Sequence, residues 1–129
     1  MNKIEHMAVW VTDLEKMKEF YIRYFNGTAN QKYVNPVRGF SSYFISFGEG
    51  PRLEIMNLQD IAPDGNSERV VRGWAHLAFS LGTRKAVEEL TEKFRNEGYT
   101  VESEPRTTGD GYFESVILDP EGNQLELTI

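Results

Sequence analysis

The spacing of apolar residues switches between the two-residue period of a strand and the longer period of a helix, and the same order of these segments occurs twice along the chain. Residues 3–11 alternate between apolar and polar side chains, which predicts a β-strand. The next segment carries an apolar stripe at helical spacing, formed by Met17, Phe20, Tyr21, Tyr24 and Phe25. Three more strand-like segments follow, at 28–35, 40–47 and 52–58. The first half of the chain is therefore predicted to be β-α-β-β-β.

Residues that favour helix ends flank the apolar stripe of the first half. Thr12 and Glu15 have the spacing of a capping box, and Asp13 is another candidate for the N-cap. Asn26 and Gly27 follow the stripe, and both residue types readily adopt the left-handed conformation that ends a helix. We therefore expect one short helix between these two signals.

The second half repeats this order after a polar stretch at 59–72, which is rich in turn residues and predicts a linker. The predicted elements are a strand at 74–81, a helix at 83–96, and strands at 99–104, 112–118 and 124–129. The helical positions Val87, Leu90 and Phe94 follow Met17, Phe20 and Tyr24 of the first helix at one constant offset. The repeat predicts an α+β fold in which residues 1–129 form one domain of two βαβββ modules, module one at 1–58 and module two at 73–129.

The two histidines and two of the glutamates fall at matching places in the two modules. His76 follows His6 at the same offset as the helical positions, and Glu126 follows Glu54 at nearly the same one. Strand alternation places all four on the faces opposite the more apolar ones, which we expect to pack on the helices. A buried carboxylate costs several kcal/mol without a partner, and a divalent cation removes that cost. Imidazole and carboxylate ligands together suit zinc, nickel, cobalt, iron or manganese.

An alternative interpretation needs no metal. Each histidine would be a hydrogen-bonded core residue and each glutamate a solvated charge at a strand edge. Arg52 is the specific competitor of the metal hypothesis, because it shares a strand face with Glu54 and offers that carboxylate a salt bridge.

Composition and charge narrow the classes of function. The net charge of −6 argues against nucleic acid, which requires a basic surface. No apolar run approaches the roughly 20 residues needed to span a bilayer, and no basic amphipathic helix suggests a membrane surface. There is no cysteine and no apparent signal peptide, so we expect a cytoplasmic protein without disulfides.

The chain resembles the vicinal oxygen chelate superfamily, which includes glyoxalase I, extradiol dioxygenases and bleomycin-binding proteins. The residues that carry the resemblance span nearly the whole chain: the strand of His6, Asp13-Leu14, Phe20-Tyr21, the strand of Glu54, residues 76–79, and residues 119–123 running into 125–127. The resemblance implies that the two modules form a cup-shaped mixed sheet around a metal, with the helices on its outer face. It also implies a small-molecule substrate and a homodimer.

The order His, Glu, His, Glu looks like the ligand set of glyoxalase I, and His6, Glu54, His76 and Glu126 fill its places one by one. The resemblance thus implies one divalent metal per site, with zinc, nickel or cobalt favoured and iron or manganese open. It implies a lyase or isomerase reaction through an enediolate, with Glu126 or Glu54 as the base and Glu126 slightly favoured. The alternatives are an extradiol-type dioxygenase using iron and a non-catalytic small-molecule binding or resistance protein.

Trp10 marks a departure from the glyoxalase I pattern. Bacterial glyoxalase I typically has an arginine at this position, which helps to hold glutathione. The departure therefore leaves two alternatives open, a glutathione adduct and a different substrate. Five aromatic residues either line an apolar pocket or pack in the core. They are Trp10, Tyr33, Phe44, Trp74 and Tyr112. Arg38 and Arg52 are candidates to hold an anionic group, or are solvated arginines.

Overall fold

The computed structural model describes residues 5–60, 74, 76–108 and 111–129. The chain divides into two compact units, Met1–Gly65 and Asn66–Ile129. The predicted linker at 59–72 lies outside the described residues from position 61 onward, as do Ile4, Gly73 and Ala75. No described helix is long and apolar enough to cross a membrane.

The first unit is a mixed sheet with one helix. Its elements are β1 (His6–Trp10), α1 (Leu14–Phe25), β2 (Thr28–Ala29), β3 (Tyr33–Asn35), β4 (Phe40–Ser46) and β5 (Arg52–Leu58). The strands are ordered β1-β5-β4-β2, and β3 also pairs with β4. Only β1 and β5 run parallel among the described strands of this unit, so the first and last strands of the module are neighbours.

The prediction of one continuous strand over 28–35 was wrong, because the segment is divided into β2 and β3. Ala29 pairs with Ile45 and Tyr33 with Ser42, so four steps on one side match three on the other. The extra residue makes the irregularity of a β-bulge. Asn30 holds this point, because its side-chain oxygen accepts a hydrogen bond of 2.8 Å from the backbone N–H of Phe44.

The second unit repeats the plan with four strands. Its elements are β6 (Leu77–Ser80), α2 (Arg84–Asn96), β7 (Val101–Thr107), β8 (Phe113–Leu118) and β9 (Gln124–Thr128). The order is β6-β9-β8-β7, and again the first and last strands pair in parallel. The α+β class and the two modules of mixed sheet and helix predicted from the sequence are confirmed.

Helix α1 begins at the alternative cap rather than at a capping box. The Asp13 carboxylate accepts a hydrogen bond of 3.0 Å from the backbone N–H of Lys16. The capping box of Thr12 and Glu15 was therefore wrong. The Glu15 carboxylate instead accepts a hydrogen bond of 2.8 Å from the hydroxyl of Tyr43, which ties the start of the helix to β4.

The predicted end of α1 is confirmed, because Asn26 is its C-cap with a φ of 54°. Asparagine tolerates this left-handed conformation better than most residues do. Helix α2 is capped by Thr83, whose hydroxyl accepts a hydrogen bond of 3.1 Å from the backbone N–H of Ala86.

Each helix covers one face of its own sheet. The buried apolar residues of the first unit include Met17, Phe20, Tyr21, Tyr43, Ile45, Leu53 and Ile55. Those of the second unit include Val87, Phe94, Phe113, Ile117, Leu125 and Leu127. A buried hydroxyl pair interrupts the second core, where Thr91 Oγ1 lies 2.7 Å from Ser115 Oγ and donates to the carbonyl of Val87 at 2.6 Å. Because strand side chains alternate, the residues between the buried ones point away from the helix.

A buried aspartate organises the turn between β8 and β9. Asp119 Oδ1 accepts hydrogen bonds of 2.9 Å from the backbone N–H groups of Glu121 and Asn123. Its Oδ2 accepts a third bond of 2.9 Å from the side-chain amide of Asn123. Gly122 takes a φ of 84°, which glycine adopts without strain. The turn thereby fixes the register in which β9 returns along β8.

Candidate functional site

The first module brings His6 and Glu54 together on the sheet face away from α1. His6 begins β1, and Glu54 lies on the adjacent parallel strand β5, opposite Ala8. The two side chains therefore share one face, and His6 Nε2 lies 3.9 Å from Glu54 Oε1. The imidazole is 43% exposed and the carboxylate 16%.

The second module repeats this arrangement. His76 immediately precedes β6, and Glu126 lies on β9 opposite Ala78. His76 Nε2 lies 3.3 Å from Glu126 Oε2. In both modules the histidine thus stands two positions before the alanine that pairs with the glutamate. The repeat detected in the sequence extends to the register of the strands.

Each pair offers two donors of the kinds that bind divalent metal ions. Two ligand atoms on one divalent ion lie about 3 to 3.5 Å apart when each bond is about 2.1 Å. The second pair already has this separation, and the first is a few tenths of an ångström wider. Among the described residues of either unit, no third histidine, cysteine or carboxylate joins the pair to form a metal-binding group. The donors fit the expected metal, but one module alone supplies only two of them.

Glu5 is a member of this site that the sequence analysis missed. Its carboxylate contacts His6 Nδ1 and also forms an ion pair with the guanidinium of Arg52. The hydrogen bond with His6, followed by the bond and charge of Arg52, holds the pKa of Glu5 below its ordinary value against the opposing effect of desolvation. The sequence feature that could have indicated this role is the position of Glu5 directly before the candidate ligand His6.

Arg52 does not form the salt bridge with Glu54 that the metal-free interpretation offered. Its ion pair is with Glu5, not with Glu54. Its guanidinium also lies 4.1 Å from the centroid of the Phe44 ring, a cation–π distance. Arg52 is therefore neither the salt-bridge partner of Glu54 nor a free, solvated arginine.

Three of the candidate aromatic residues lie on the same face as His6. Trp10 and Tyr33 both contact the ring of Phe40, with centroids 6.2 and 6.0 Å away. Phe44 meets the imidazole of His6 edge to face at 5.3 Å. Phe40 was missed, although it lies in strand alternation with Phe44. These rings give the first sheet an aromatic surface beside the His6–Glu54 pair.

The remaining candidates are exposed or stack on that surface. Arg38 lies over the ring of Phe40 at 5.6 Å. In the second unit, Trp74 is 91% and Tyr112 is 60% exposed, so the alternative of a core role is wrong for both. Tyr112 closes a turn, because its backbone N–H donates to the hydroxyl of Thr108 at 3.0 Å.

Comparisons with known proteins concern the sequence and the fold of the whole chain. The protein YwkD of Bacillus subtilis (strain 168), described as uncharacterized, is 30% identical over 98% of this chain and 96% of its own length. The fold of a glyoxalase family protein from Enterococcus faecalis matches with a TM-score of 0.81, at 22% identity, over 98% of this chain and 97% of that one.

Glyoxalase I from Zea mays matches with a TM-score of 0.78 at 21% identity, over 98% of this chain. The present chain spans 44% of the length of that maize chain, and at this identity the likeness concerns the fold alone. The model of one family matches residues 3–127, from the strand of His6 through that of Glu126. This chain therefore belongs to the Glyoxalase/Bleomycin resistance protein/Dioxygenase superfamily, the group that its duplicated modules and closing motif predicted.

Proposed function

We propose that this protein is a glyoxalase I-like, metal-dependent lyase or isomerase that acts on a small substrate with neighbouring oxygen atoms. The observation that carries the proposal is the duplicated His–Glu pair, which occurs at the same strand register in both modules. A histidine or glutamate alone has many structural roles. The same two donors on the helix-free face of each module favour a shared chemical role.

In this proposal His6, Glu54, His76 and Glu126 hold one divalent ion, with zinc, nickel or cobalt favoured over iron or manganese. The four donors come from one chain or from two chains of a homodimer. When bound, such an ion supplies Lewis-acid stabilisation of the negative charge that develops on a substrate oxygen. The mixed imidazole and carboxylate donor set suits these metals.

The glutamates also supply the proton transfer that an isomerisation needs. Glu126 is the proposed base, and Glu54 is the alternative. The carboxylate takes the C–H proton from the hydroxyl-bearing carbon beside the substrate carbonyl and returns it, through an enediolate, to the former carbonyl carbon. The hydroxyl proton moves to the former carbonyl oxygen, so the isomerisation loses and gains no atoms. A base must lie within hydrogen-bond reach of that proton. The Glu126 carboxylate is 23% exposed, so it is accessible to a small molecule.

The first module is the proposed place for the body of the substrate. Trp10, Tyr33 and Phe44 present aromatic surface on the face of His6. Trp10, 47% exposed, offers a flat apolar contact where glyoxalase I has a charged one. We therefore propose a substrate with an apolar group rather than a glutathione adduct. Arg38 and Arg52 are the proposed contacts for an anionic group, and Trp74 and Tyr112 for apolar groups in the second module.

Elemental analysis of untagged protein tests this proposal. We expect close to one transition metal ion per site in the wild type and its loss in His76→Ala. Gln124→Ala is the matched control, because Gln124 lies on β9 two positions before Glu126 and should leave the metal in place. Zinc, nickel or cobalt would support the isomerase, whereas iron would favour the dioxygenase. A wild-type protein that binds no metal even after reconstitution would refute the proposal.

The aromatic surface of the first sheet also favours a second candidate, a binding protein that sequesters an aromatic molecule without turnover. Such a protein would bind its ligand equally well before and after treatment with a chelator. Ligand binding that disappears with the metal would exclude this candidate.

A further inference from the structure

We infer that Glu5, anchored by Arg52, is a positioning residue that sets the tautomer and orientation of His6. The inference rests on the proposed function for its consequence in metal binding, but its structural part is independent of any metal. Glu5 lies just before β1, and Arg52 lies opposite His6 on β5. The three side chains are therefore assembled by the same parallel strand pair that brings His6 to Glu54.

The contact determines which imidazole nitrogen carries a proton. An ionised carboxylate only accepts hydrogen bonds, so His6 Nδ1 must be the donor to Glu5. With the proton on Nδ1, the neutral ring leaves the lone pair of Nε2 free. Nε2 is the nitrogen that faces Glu54, at 3.9 Å, beyond hydrogen-bond distance. Glu5 thus selects the tautomer that can ligate a cation from the side of Glu54.

Arg52 holds the Glu5 carboxylate in the position that selects this tautomer. Its guanidinium binds the other Glu5 oxygen and rests on Phe44, whose ring in turn meets the imidazole of His6. Glu5, Arg52, Phe44 and His6 form a closed ring of contacts. A carboxylate on an exposed residue outside a strand would otherwise sample many rotamers. An outer carboxylate that fixes a ligating imidazole typically strengthens metal binding by about 10- to 100-fold.

The two modules differ in this respect. The sequence position corresponding to Glu5 in module two is Ala75, which carries no donor or acceptor in its side chain. We therefore expect the preference for a proton on Nδ1 at His6 and not at His76, whose Nε2 lies 3.3 Å from Glu126 Oε2. This difference provides an internal comparison, because the chain has only two histidines and their NMR signals are readily told apart by substitution.

The test is long-range ¹H–¹⁵N NMR of both imidazoles in the metal-free protein at alkaline pH. We expect His6 to be protonated on Nδ1 in the wild type and to lose that preference in Glu5→Ala. Glu5→Gln should largely retain it, because the amide oxygen still accepts a hydrogen bond. Glu49→Ala, which removes an exposed carboxylate from a turn of the same unit, is the matched control. The His76 signals should not change in any of these variants.

Titration with zinc then measures the consequence. We expect Glu5→Ala to weaken zinc binding by about 10- to 100-fold, Arg52→Gln to weaken it less, and Glu49→Ala to leave it unchanged. A wild-type His6 protonated on Nε2, or unchanged His6 signals in Glu5→Ala, would overturn the inference. A tautomer shift in a protein that binds no zinc would support the positioning role and refute the metal part of the proposed function, so the two failures are distinguishable.

Discussion

The buried hydroxyl pair of the second core gives a sharp prediction about stability. Thr91 and Ser115 are both fully buried, and their oxygens lie 2.7 Å apart. Thr91 has one hydroxyl proton, which it donates to the carbonyl of Val87. Ser115 must therefore be the donor to Thr91. The two substitutions that break this contact are chemically unequal, because each leaves a different atom behind.

Thr91→Val keeps the shape of the side chain but leaves the Ser115 hydroxyl as a buried donor without an acceptor. Such a group costs about 1 to 3 kcal/mol. Ser115→Ala removes that donor and leaves Thr91 bonded to Val87, so we expect a loss of about 0.5 to 1.5 kcal/mol. The double variant contains no buried hydroxyl at this point. It should therefore be more stable than Thr91→Val alone, with a coupling of about 1 to 2 kcal/mol.

Urea unfolding followed by circular dichroism measures all four proteins of this cycle. Thr100→Val is a suitable control, because it makes the same substitution at an exposed position and should change stability by less than about 0.5 kcal/mol. If the two single losses simply add in the double variant, or if Ser115→Ala is the more damaging change, then the assignment of donor and acceptor is incorrect.

Three further predictions concern the site, the pH dependence and the closing turn. Glu126→Gln should retain part of the metal content but lose proton exchange at the substrate carbon, measured by deuterium incorporation from solvent; undiminished exchange would remove Glu126 as the base and point to Glu54. Hydrogen bonds from Tyr43 and then Lys32 hold the pKa of Glu15 below its ordinary value of 4.5. Their contribution to the free energy of unfolding is therefore complete above that pH, and it disappears as the pH falls through the lowered pKa. Tyr43→Phe should accordingly lose about 0.5 to 1.5 kcal/mol at neutral pH and progressively less below pH 4.5 in urea unfolding, and a difference that stays constant into acid would contradict this origin. Asp119→Ala removes three acceptor bonds from a buried turn and should destabilise the protein by about 2 to 4 kcal/mol, whereas a loss below about 1 kcal/mol in the same assay would show that the turn is held by other contacts.

Strand alternation was sufficient to predict the faces of three candidate ligands, His6, Glu54 and Glu126. His6 and Ala8 alternate with buried or half-buried neighbours, as do Glu54 and Glu126, and period two leaves no freedom in this assignment. The internal repeat strengthened this prediction, because the same residue types occur at matching positions of both modules.

Contacts that depend on pairing between distant strands could not be predicted from the sequence. Glu5 reaches Arg52 only because β1 lies parallel to β5 with His6 opposite Arg52, and no local pattern fixes that register. The N-cap of α1, Asp13 rather than Thr12, also depends on a contact with a distant strand. Glu15 would complete a capping box in an isolated helix, but Tyr43 from β4 binds its carboxylate instead.

The parallel pairing of first and last strands also determines when each His–Glu pair can form during folding. Each pair joins the beginning of its module to the end, so these are among the most non-local contacts within each unit. The antiparallel pairs β4–β5 and β8–β9 close much shorter loops and should form earlier. During synthesis neither donor pair exists until the final strand of its module has left the ribosome. Any ligand of these pairs therefore stabilises only completed modules, and its binding reports the last step of their folding.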